Sequence, residues 1–154
     1  MNKIIVLFFV LVSFSFSLSN DVYAQETNMF FKKTISGEFN QVLIKVKAEF
    51  KSEGFGVMTE IDMDQKLKEK LDVELKPYKI LGVCNPGFAY EAMQTEPNIG
   101  VFLPCKVIIK QLDNNEIEVV SYDPVALMKM LENEELTRLA EGISAKIKAV
   151  IENI

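Results

Sequence analysis

Apolar positions recur along this chain in two rhythms, one helical and one extended. Phe39, Val42, Leu43, Val46 and Phe50 step by three and four, the stripe of a helix with one buried face. Ser36 is placed to cap that helix, and Gly54 offers the left-handed residue that ends it. Phe30 to Ile35 reads as a strand before it and Gly56 to Ile61 as a strand after it. Asp62 or Asp64 can start a short helix through Leu71, with Lys66, Lys68, Glu69 and Lys70 as its solvated face. Pro77 forbids further helix, so Tyr78 to Val83 forms the next strand. Asn85-Pro86 pairs a capping residue with proline at the first helical position and predicts a helix to about Gln94. Ile99 to Leu112 reads as a strand broken near its start by Pro104. Asp113-Asn114-Asn115 turns it back along Glu116 to Tyr122, the clearest hairpin in the chain. Asp123-Pro124 repeats the cap-plus-proline start and predicts a helix to Leu131. Asn133 then caps a last helix with the stripe Leu136, Leu139, Ala140, Ile143, Ile147, Val150 and Ile151.

Strands that alternate with two-faced helices predict an α+β fold: a two-layer sandwich, mainly antiparallel, with helices packed on one face of the sheet. The other face is then free to be solvated or to pair with a second copy, and a homodimer is expected. The start of the chain follows a different pattern. Lys3 precedes an apolar run from Ile4 to Leu18, and Val22-Tyr23-Ala24 offers small or aliphatic residues at the cleavage positions. This is the form of a secretory signal, shorter than the roughly 20 apolar residues of a spanning helix. Cleavage after Ala24 would leave a single domain over residues 25–154, exported to the periplasm or beyond the cell, with no integral membrane segment.

Composition narrows the chemistry. The net charge is −5, and Arg138 is the sole arginine among 17 basic residues, which argues against a nucleic-acid surface and against docking on anionic lipid. The chain has no histidine, which excludes a Ser-His-Asp triad and the usual histidine-ligated metals. It also has no tryptophan, the best cation–π and sugar-stacking platform. Gly54-Phe55-Gly56 lacks the third glycine of a dinucleotide fingerprint and reads as a helix end turning into a strand.

Several segments taken together resemble the domain of unknown function 302 family. They are Gly54 to Asp62, Leu67 to Leu71, Pro77 to Pro86, Ile99-Gly100, Leu103-Pro104-Cys105 and Asp123-Pro124, and the resemblance runs over about residues 36 to 152. It implies a compact α+β domain and is compatible with a homodimer. It attaches no biochemical activity. The family pattern includes both cysteines, here Cys84 and Cys105, and the Asn-Pro after the first, here Asn85 and Pro86. This chain departs from it at Val83, where alanine is common, and at Lys106, where asparagine is frequent.

Three readings of Cys84 and Cys105 stay open: two small buried residues, a structural disulfide, or a ligand or redox site. Cys84 directly precedes a helix start, where amide donors and the helix dipole can stabilise a thiolate. Two thiols alone make a poor zinc site, so no metal is assigned, and the cofactor is unknown. Tyr78, Lys79 and Asn85 could bring polar groups near Cys84. Asp123 reads as a helix cap, Lys79 as a solvated strand residue, and Met58, Met63, Met93, Met128 and Met130 as core or near-core fillers. The functional expectation is a small exported binding or accessory domain with a site at Cys84, Asn85 and Cys105, leaning away from an enzyme. The alternatives are thiol-dependent redox or enzyme activity at Cys84, and a structural homodimer without a ligand.

Overall fold

A computed structural model describes residues 29–154. The expected signal lies outside these residues. Five strands form one antiparallel sheet in the order β1-β5-β4-β3-β2. They are β1 (Phe30–Ile35), β2 (Gly56–Asp62), β3 (Tyr78–Cys84), β4 (Cys105–Gln111) and β5 (Ile117–Tyr122). The helices are α1 (Phe39–Ser52), α2 (Met63–Leu71), α3 (Pro86–Thr95), α4 (Pro124–Lys129) and α5 (Glu134–Asn153). The expected α+β sandwich is therefore the observed one. No helix among the described residues is long and apolar enough to cross a membrane.

The main core forms where α1 and α5 lie across one face of the sheet. Val46 and Phe50 of α1 and Ile147, Val150 and Ile151 of α5 meet Leu81, Val83, Val107, Ile109, Ile117 and Val119, all essentially without solvent contact. The rings of Phe50 and Phe55 meet edge to face with centroids 5.5 Å apart. Phe55 reaches this position because Gly54 takes a positive φ of 83°, turning the chain sharply from α1 into β2.

A second, smaller apolar cluster sits beside the first. Ile99, Met128, Leu136 and Ala140 are its buried members, with Ala92, Phe102, Leu103, Val125 and Leu127 packed around them. It is built from α3, α4, the first half of α5 and a 3₁₀ segment, Pro97–Phe102. Helix α5 spans 20 residues, about 30 Å of rise, so its stripe serves both clusters in turn. Small residues let the layers meet here. A Cβ on Gly142 of α5 would lie 3.0 Å from the Phe88 ring of α3.

Several expectations need correction. Residues 99–104 are not strand: Pro97 starts a 3₁₀ turn instead, and β4 begins only at Cys105, after a cis Leu103–Pro104 bond. Ser36 does not cap α1; Glu38 holds that position, and its side chain makes no capping bond. The Asp62 carboxylate likewise makes no capping bond on α2 and pairs with Lys79 at 2.8 Å. Helix α4 ends at Lys129, short of Leu131. Met58, Met93 and Met130 are exposed, and of the five methionines proposed as fillers Met128 is the one buried in a cluster. Asn85, Asp123 and Asn133 do cap α3, α4 and α5 as expected, each accepting from a backbone N–H.

Candidate functional site

Between the two clusters the packing does not close. A cavity of about 70 Å³ remains there, bordered on the main-core side by Phe55, Cys105 and Ile143. Ile99, Met128, Leu136 and Ala140 border it on the other side. Native interiors seldom leave voids larger than a water molecule, so a space of this size marks the seam as the least complementary part of the interior. Its lining is almost entirely apolar. Polar groups come from Asn85, from the hydroxyl of Tyr122 and from the two thiols of Cys84 and Cys105.

The sheet register brings the cysteines here. Val83 of β3 is the register partner of Cys105 on β4; Cys84, one residue on, alternates away from the face that Cys105 shares and borders the cavity where the strand ends. Strand β3 ends at Cys84, Asn85 takes extended backbone angles, and Pro86 starts α3. Cys105 alternates inward with Val107 and Ile109 and is buried, whereas Cys84 is half-buried at the cavity edge. Both are free thiols. Burial pushes each thiol above its ordinary value; for Cys105 the neighbouring Tyr122 hydroxyl pulls partly the other way. Burial thus opposes the thiolate that the helix start after Cys84 would favour. Cys84 instead points a weak S–H donor at the Asn85 carbonyl, 3.9 Å away.

Asn85, the third expected site residue, also borders the cavity, but its side chain is engaged. Its Oδ1 accepts from the Phe88 N–H at 3.4 Å, and its amide nitrogen lies close against Gly54. Asn85 thus caps α3 and packs its amide beside the α1–β2 turn. Tyr122 donates its hydroxyl to the Phe102 carbonyl at 3.5 Å, and burial raises its phenol far above its ordinary range. The hydroxyl stays protonated and neutral at any physiological pH.

Tyr78 and Lys79 do not join this site. They stand at the opposite end of β3 from Cys84. Lys79 is half-buried rather than free in solvent and binds Glu60 at 2.7 Å and Asp62 at 2.8 Å. Asp123 keeps a structural role. Its Oδ1 accepts from Val125 N–H at 2.9 Å and from the Ser144 hydroxyl at 2.7 Å, tying α4 to α5.

Sequence reasoning missed Tyr122, Phe88, Phe102 and Met128 as wall residues. Leu136, Leu139, Ala140 and Ile143 were legible as one stripe of α5, and the small Ala140 in that stripe was the available sign of a gap. Nothing in the sequence alone marked Phe102, because its place depends on the 3₁₀ turn.

A two-layer α+β domain with an apolar cavity at its helix-covered end is the class of protein this defines. The chain belongs to the DUF302 family, a domain of unknown function, whose match covers residues 31–154. Among solved structures it is similar to the uncharacterized conserved protein DUF302 from Bacillus stearothermophilus. That likeness has a TM-score of 0.75 at 27% identity and covers 80% of this chain and 96% of the other. No curated protein matches the chain.

Proposed function

We propose that this is a small exported binding domain whose site is the cavity beside Cys84 and Cys105. The observation that carries the reading is the unfilled space at the seam of two otherwise well-packed clusters. Raised thiols, no histidine and no carboxylate in the lining favour binding over thiol catalysis at Cys84. Export rests on the Lys3, Ile4–Leu18 and Ala24 pattern alone.

Xenon is a suitable probe, being apolar and small enough for such a space. Xenon pressure should shift the amide resonances of Ala89, Leu136 and Ala140 in the wild-type chain. Ala140→Leu, which fills the cavity, should abolish those shifts while keeping the fold. Unchanged wild-type spectra under xenon would refute an accessible binding cavity.

The sheet face turned away from α1 and α5 supports a second reading, the homodimer. Ile61, Ile80, Ile108 and Val120 are register partners in turn across four strands, forming one apolar row on that face. Light scattering at micromolar concentration should give twice the chain mass, and Ile108→Lys should give a monomer. A monomeric wild type removes this reading and leaves the cavity untouched.

A further inference from the structure

The register fixes which side chains share the sheet face turned away from α1 and α5. Its central row is Ile61, Ile80, Ile108, Val120 and Lys32, one residue from each strand in the order β2-β3-β4-β5-β1. Two residues further along a strand the side chains return to the same face. One flanking row is therefore Tyr78, Lys110, Glu118 and Thr34, and the other begins with Thr59, Gly82 and Lys106. Ile61 is 37% exposed, and Ile80 and Ile108 are half-buried, so the row keeps apolar surface that the protomer itself does not cover. Burying it against a second copy must also seat the charges on either side.

We propose that two copies of the chain pack through this face about a two-fold axis that runs parallel to the strands, between β3 and β4. This rests on the homodimer reading and adds the arrangement of the two copies. Sheets packed face to face keep their strands nearly aligned, which leaves two in-plane directions for the axis. An axis along the central row sets the two flanking rows against each other and places Lys110 over Lys106 of the second copy, twice by symmetry. Like charges facing each other oppose association. An axis along the strands instead keeps each row over its own image and reverses the strand order. Ile80 then meets Ile108 of the second copy, and Ile61 meets Val120. Lys110 lies over the ring of Tyr78, where a cation is favoured, and Lys106 faces the uncharged Gly82. Lys32 falls outside the β2 edge of the second copy and Glu118 past the end of that strand, so both stay in water. Within the protomer Glu118 already pairs with Lys110 at 2.8 Å, and Lys106 turns its ammonium back to the Pro104 carbonyl at 2.6 Å.

Opposite charges introduced into the central row test the pairing. Ile80→Glu and Ile108→Lys each bury an unpaired charge in the interface, and each alone should weaken association by about tenfold or more. Circular dichroism confirms that each variant is folded. Mixed in equal amounts, the two should regain the wild-type dimer in light scattering, because the new carboxylate and the new ammonium meet while the other Ile80–Ile108 contact is intact. Ile80→Lys with Ile108→Glu repeats the test with the charges exchanged. Ile80→Glu mixed with Ile80→Lys should stay dissociated. Recovery in that last mixture would overturn the proposal in favour of an axis along the central row, and the homodimer would stand. No recovery in any mixture would overturn it too. A wild type that is monomeric, or a dimer that Ile108→Lys leaves intact, would remove the homodimer reading of this face itself and leave the row to a different protein.

Discussion

The two apolar clusters are built from the same kinds of side chain, yet they pack differently. In the main core, strand alternation and two helical stripes supply complementary surfaces, and Val46, Phe50, Val83, Val107 and Ile109 have no exposure left. At the smaller cluster the contributors are short: the ten-residue α3, a 3₁₀ turn, the six-residue α4 and the first half of α5. Short elements present fewer side chains in fixed relative positions, and Ala89, Ala92 and Ala140 fill little of the space between them. A sheet with long helices closes its core; a group of turns and half-helices leaves a seam. The seam holds both cysteines, so the place where packing is least complete is also where the unusual chemistry sits.

The largest expected effect contrasts truncations on the two sides. Phe50→Ala removes a ring packed edge to face on Phe55 inside the closed core, and should cost about 3–5 kcal/mol. Met128→Ala should cost about 2 kcal/mol, the low end for such a truncation, because that side chain already borders empty space and forfeits fewer contacts. Urea unfolding of both variants measures the difference. Equal losses would mean that the seam is packed as tightly as the core.

Gly82 provides a second contrast, on the face away from the helices. A Cβ there would fall 2.3 Å from Thr59 Oγ1 and 2.5 Å from Pro104 Cγ, so backbone and side chains would have to move. Gly82→Ala should cost about 1–3 kcal/mol, as overpacking does. Adding Thr59→Ala should recover part of that loss, since it removes one of the two clashing groups while Pro104 stays. Gly142→Ala meets only the edge of the Phe88 ring at 3.0 Å, beside the seam, and should cost less. A larger loss at Gly142 than at Gly82 in the same unfolding assay would reverse the ranking.

Most of the main core was legible in the sequence because its signals are local. The i, i+3, i+4 stripes of α1 and α5, the alternation of Cys105, Val107 and Ile109, and the Asn85-Pro86 and Asp123-Pro124 starts each depend on a few adjacent residues. The seam was legible only in part. Cys84, Asn85 and Cys105 do border one cavity, and the family pattern carried all three together. Its other walls depend on tertiary placement. Pro104 marked an interruption, but extended and 3₁₀ backbone before it were not distinguishable by apolar spacing. Lys79 was misjudged for a related reason: its partners Glu60 and Asp62 come from a neighbouring strand whose register no local pattern specifies.

That ionic cluster supplies the smallest effect and a property the seam lacks, a response to mild acid. Glu60 lies between Lys47 and Lys79, and Asp62 binds Lys79 from the same strand. Hydrogen bonds from Lys47 and Lys79 hold the Glu60 carboxyl below its ordinary 4.5, against the opposing pull of burial. Burial alone would lower the Lys79 ammonium, but Asp62 and Glu60 outweigh it and the net shift is upward. A carboxyl depressed in the folded state contributes stability at pH above its unfolded value. That contribution is lost as pH falls through the lower folded value. Glu60 is about one-third exposed, so water screens the pair, and Glu60→Gln should cost only about 0.5–1 kcal/mol at neutral pH. The gap between wild type and variant should narrow below pH 4.5 and close near the folded value, and it should shrink in high salt. Unfolding curves across that window decide the matter. A gap independent of pH would mean that Glu60 acts through packing rather than charge, and the ionic cluster would then add nothing that the apolar core does not already supply.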